Sequence, residues 1–101
     1  MTQIERIEAM EKILNEVRSA VDALTEALDR YEAVQEKFDQ LDEYYSSDIW
    51  MEDFEADEAG KIPKHIPRGV LSEDAVYDLI TDDRELNARM ADMLGQYLRK
   101  G

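Results

Sequence analysis

Cysteine is absent from the 101 residues, and histidine occurs once, at His65. Without thiols there is no disulfide frame, no thiolate nucleophile and no cysteine-type zinc site. A single imidazole excludes histidine clusters for metal binding and histidine proton relays. His65 lies between Pro63 and Pro67 and reads as a solvent-exposed loop residue. Those two prolines are the only ones, and all four glycines stand at or beyond position 60, so the first 59 residues contain no strong backbone breaker. No apolar run approaches the ~18 residues of a membrane span. The N-terminus alternates apolar residues with Glu and Arg instead of forming a signal-peptide core, which leads us to expect a cytoplasmic protein. There is no glycine-rich phosphate loop, no nucleophile motif and no alternating oxygen ligands of an EF-hand, so no cofactor is implied.

What is abundant is acid. The net charge is −13, distributed unevenly. Residues 1–45 carry 12 acidic and 5 basic groups, residues 46–60 carry 6 and none, residues 61–71 carry none and 3, and residues 72–101 carry 7 and 4. Such a surface repels phosphate backbones and anionic lipid, which argues against nucleic-acid and membrane partners and in favour of a basic protein or a divalent cation.

The chain is organised by residues 3–45, which read as one long amphipathic helix. Ile7, Met10, Leu14, Val17, Val21, Leu24, Leu28 and Tyr31 alternate three and four apart and form a seam along one face. A third row, Ile13, Ala20, Ala27, Val34 and Leu41, repeats every seven residues and widens that face beyond a two-row contact. Past Tyr31 the apolar positions slide to Val34, Phe38, Leu41 and Tyr45, so the stripe shifts by one residue. Glu8/Lys12 and Glu26/Arg30 have the favourable i, i+4 order, worth ~0.2–0.5 kcal/mol per pair. At about 1.5 Å per residue this span would measure roughly 65 Å. Its face needs either the C-terminal half folded back along it or a second copy, and its width predicts a homodimer.

Further along, Ser47 or Asp48 caps a short acidic helix over about residues 48–59, with Gly60 as its C-cap glycine and Pro63 forbidding continuation. Residues 60–71 form a Pro/Gly connector, the only basic loop, placed to lie against the acid that precedes it. Ser72 and Thr81 are candidate caps that predict C-terminal helices over about 73–80 and 82–99, either as two helices or as one with a bend. Leu86, Met90, Met93, Leu94 and Tyr97 form the buried face of the last. No strand pattern occurs. The expected fold is all-α, a single helical domain with the long helix packed against shorter C-terminal helices as a bundle.

Chemistry concentrates in residues 50–58. Trp50 and Phe54 are four apart and share a helix face, while Glu52, Asp53, Glu55 and Asp57 crowd the remainder. Three readings compete. In the plainest, the aromatics dock into the core and the acids are solvated. In the second, Tyr44, Tyr45, Trp50, Glu52, Asp53, Phe54, Glu55 and Asp57 form an acidic aromatic surface for a basic protein partner, which makes the chain a non-enzymatic interaction or adaptor protein. In the third, Glu52/Glu55 and Asp82/Glu85 converge on Mg²⁺ and the chain hydrolyses nucleotides. These pairs resemble the paired acidic motifs of all-α nucleoside triphosphate pyrophosphatases, with the acids of the second pair in the other order.

The run of residues 44–80, carrying Tyr44-Tyr45, Trp50, Asp53-Phe54-Glu55-Ala56-Asp57, Gly60, Pro63 and the segment from Gly69 through Asp74 to Tyr77, resembles a domain-of-unknown-function family of short acidic proteins from Gram-positive bacteria. The resemblance implies a bacterial cytoplasmic protein and supplies no catalytic residues.

Overall fold

A computed structural model describes residues 1–101 as four α-helices and one 3₁₀ turn, with no strand: α1 (Gln3–Ala33), α2 (Gln35–Tyr45), α3 (Asp48–Glu58), the 3₁₀ turn (Gly69–Leu71) and α4 (Glu73–Lys100). The all-α class and the long N-terminal helix are as the hydrophobic period required. The chain divides into two compact units, residues 1–40 and residues 41–101.

In the first unit, α1 starts at a capping box. The Thr2 hydroxyl accepts from the Glu5 backbone N–H at 3.1 Å, and the Thr2 N–H donates to the Glu5 carboxylate at 3.4 Å. The T-x-x-E spelling carries that signal in the sequence. The single helix expected over residues 3–45 is instead two, divided at Val34 (φ −101°, ψ 3°), where the apolar stripe slides. No glycine or proline causes the division. Gln35 sends its side-chain amide back to the Tyr31 carbonyl at 3.1 Å, and the Phe38 N–H resumes the helical ladder on the Val34 carbonyl at 2.9 Å. The expected Glu8/Lys12 and Glu26/Arg30 pairs are not made. Arg18 and Asp22 pair instead at 2.9 Å, both side chains well exposed, a contact that contributes at most a few tenths of a kcal/mol.

The second unit is built around three buried residues, Trp50, Leu71 and Val76, one each from α3, the 3₁₀ turn and α4. Ser47 caps α3, accepting from the Trp50 N–H at 3.3 Å and donating to the Tyr44 carbonyl at 2.6 Å. Gly60 closes the helix with φ +73°. Its N–H meets the Asp57 carbonyl and the Lys61 N–H meets the Ala56 carbonyl, the paired 5→2 and 6→1 bonds of a Schellman end.

The two C-terminal helices expected about Thr81 are one continuous α4. Residues 73–94 hold neither glycine nor proline, and the Thr-Asp-Asp run costs only tenths of a kcal/mol per residue in propensity, less than opening a helix end there. Ser72 stands at the N-cap position without a side-chain capping bond, so the first turn relies on Glu73 and Asp74. The expected buried face of α4 is only partly so. Met90 is half-buried, but Leu86, Met93, Leu94 and Tyr97 are 43–72% exposed.

Glycine substitutions test this geometry. Gly60→Ala has open space around a new Cβ, so its whole effect is the positive φ, and about 1 kcal/mol of destabilisation is expected in denaturant unfolding. Gly95→Ala meets only the movable end of Arg99 at 3.4 Å and sits within α4, so it is expected to stabilise by up to ~1 kcal/mol.

Candidate functional site

The acidic aromatic segment folds inward. Trp50 is only 6% exposed. Its ring meets Tyr45 edge-on at 5.1 Å and stacks on Phe54 at 5.2 Å, and its Nε1–H donates to the Val70 carbonyl at 2.9 Å. Burying an indole N–H without a partner would cost on the order of 1–3 kcal/mol, so this one bond fixes where the turn before α4 sits on α3. The Tyr45 hydroxyl donates to the Glu73 carbonyl at 3.1 Å, which adds a second tie to the start of α4. Phe54, Tyr44 and Tyr45 are half-buried. Of the aromatic members of the expected partner surface, Trp50 is buried and the other three keep part of their surface exposed.

Two of the four acids are also engaged. Asp53 accepts from the Tyr44 hydroxyl at 2.6 Å, and Asp57 pairs with Arg68 at 2.9 Å. In the Arg68–Asp57 pair the basic connector does meet the acidic helix, about two-thirds or more shielded on both sides. Glu52 and Glu55 are exposed. No group of three or more Asp, Glu or His side chains is placed to hold a metal ion, so Glu52, Glu55, Asp82 and Glu85 do not gather into one. No helix is long and apolar enough to cross a membrane.

The hydrogen bond to Asp53 is the main cause of a raised pKa at Tyr44, pushed up to about 12 from 10.0, with burial and the carboxylate charge adding to it. Both the hydrogen bond and the negative neighbour favour the protonated phenol.

The feature that remains accessible is on α1, none of whose residues is buried. Ile4, Ile7, Met10, Ile13, Leu14, Val17, Val21, Leu24 and Leu28 are 39–68% exposed, a contiguous apolar stripe along the helix. Isolated exposed leucines need no explanation, whereas a contiguous run of this length is unusual for a surface that faces only water. An open trough lined by Glu16, Val17, Ala20, Val21 and Leu24 follows it. The apolar stripe is legible in the sequence from its spacing, while the residues expected to bind a partner lie elsewhere, Tyr44 and Tyr45 at the end of α2 and the other six on α3. The carbonyls of Val70 and Glu73, which hold the aromatics, carry no sequence signal because every residue has one.

Two measurements check this geometry. Trp50→Phe keeps a ring but strands the Val70 carbonyl, and should destabilise by about 1–3 kcal/mol while Phe54→Leu costs less. An ultraviolet titration of phenolate should show a step near pH 12, and Tyr44→Phe should remove that step. Because the folded pKa lies above the unfolded one, the protonated phenol's contribution to stability is complete below pH 10 and is lost between pH 10 and about 12.

Searches of curated proteins and of solved structures gave no match. A family model described as a domain of unknown function, DUF4298, matches residues 7–93, from the start of the α1 seam to Met93 of α4, and the chain belongs to that family.

Proposed function

We propose that this is a non-enzymatic protein–protein interaction protein whose contact surface is the α1 seam. The observation that carries this reading is the exposure of nine large apolar side chains along a single helix that buries none of its own residues. Burying such a side chain fully gains about 1.5–3 kcal/mol, so the stripe is a substantial reserve of binding energy. Helix-in-groove and helix-pairing contacts use this i, i+3, i+4, i+7 spacing. The acids of α3 have a lesser part. Asp53 and Asp57 are engaged inside the unit, which leaves Glu52 and Glu55 to tune the approach of a basic surface at its rim, where a charge affects association rate more than affinity.

Affinity capture with three baits separates the two surfaces. Wild type and a Glu52→Gln/Glu55→Gln variant should retain the same bound protein, whether another protein or this chain itself. A Val17→Asp/Leu24→Asp variant should lose it by tenfold or more, since each aspartate would be buried without a partner. The reverse pattern, with binding lost by the amide variant and kept by the seam variant, would overturn the seam reading and return the function to α3.

A further inference from the structure

We infer that the occupant of the α1 seam is a second copy of this chain, lying antiparallel to the first. This rests on the seam being the contact surface, as proposed above, and three observations carry it further. The first is area. The nine exposed side chains present on the order of 900 Å², comparable with the ~800 Å² per partner of a specific interface, so two copies of this one stripe suffice.

The second is charge. α1 as a whole carries eight acidic and four basic side chains, and the chain carries −13. The charges flanking the seam are nevertheless balanced. Arg6 stands on one side, and Glu11, Arg18 and Glu32 on the other, while the remaining six acids of α1 lie on the outer face at helical register. A uniformly basic helix would be attracted by the outer face but would meet Arg6 and Arg18 at the seam itself. A second copy meets a neutral rim.

The third is register. In an antiparallel pair, the offset that sets Glu11 against Arg18 of the second copy also sets Arg18 against the second copy's Glu11, because the contact is isologous. The same offset places Leu14 against Val17 and Ile7 against Leu24 in the seam, and Ile13 against the small Ala20 beside it, so large meets small where the stripe is widest. All of these side chains are exposed in the single chain, Arg18 pairing only with its helical neighbour Asp22.

Light scattering and sedimentation on the purified full chain at up to about 100 µM test the inference, with Trp50 emission as the check that the second unit stays folded. Twice the mass of one chain is expected, and raising salt from about 0.05 to 0.5 M should leave the dimer unchanged or tighten it, since two copies of −13 repel. Leu14→Asp should weaken it by ~100-fold or more. Arg18→Glu should weaken it by roughly 3- to 10-fold, and Glu11→Arg combined with Arg18→Glu should restore it to within about twofold. A wild-type chain that stays monomeric overturns the inference, as does a dimer that dissociates with salt. A dimer that the double exchange fails to restore overturns the antiparallel register. The reading above survives a monomeric result if a protein other than this chain is captured through the seam, so the two fail separately.

Discussion

The buried indole of Trp50 is the constraint on which the second unit depends. A tryptophan that enters a core brings a large apolar area and one obligatory donor, and only a site offering both contact and an acceptor can take it. Here α3 supplies the ring and Phe54 beneath it, the end of α2 supplies Tyr45 at its edge, and the chain before α4 supplies the carbonyl of Val70. With only Leu71 and Val76 buried besides it, little else specifies the position of α3 against the 3₁₀ turn. The helix that carries this residue has six acidic groups within or beside it and is poorly stabilised by its own sequence. Ser47 and Gly60 at its ends, the indole in its first turn and the Arg68–Asp57 pair offset that repulsion.

How far the sequence discloses this depends on what each feature is made of. Boundaries set by backbone chemistry were legible, because Ser47 offers a capping oxygen, Gly60 alone tolerates φ +73° without strain, and Pro63 lacks an N–H. Boundaries set by differences of tenths of a kcal/mol were not. Val34 ends α1 although it is neither glycine nor proline, and Thr81 sits within α4 although it heads a plausible cap. The slide of the apolar stripe at Val34 marked the place, but the Gln35 side chain that takes over the Tyr31 carbonyl has no distinguishing spacing.

The candidate site shows the same division. That Trp50 and Phe54 share a face was clear from their separation, and so was the chance that the face points inward. Which way it points was settled by an acceptor twenty residues on, in a loop whose carbonyls are indistinguishable in sequence. In the sequence the acidity of α3 reads as a recognition signal. In the structure part of that acid is internal bonding, with Tyr44 and Arg68 as its partners.

The seam on α1 is the converse case, an apolar pattern evident from spacing alone whose side chains are exposed in the single chain. Most of a helix's stability in a folded protein comes from tertiary packing of its apolar face, not from intrinsic propensity. A 31-residue helix that buries none of its residues lacks that contribution and is left with propensity, a capping box at Thr2 and a surface pair at Arg18 and Asp22. A partner on this face would therefore do more than add contact energy, since it would supply the tertiary packing that α1 lacks in the single chain. Any association through this surface would be linked by mass action to the stability of the helix that bears it. The charges flanking the seam sum to zero in a chain otherwise strongly acidic, so repulsion at this face is weaker than the net charge of the whole chain suggests.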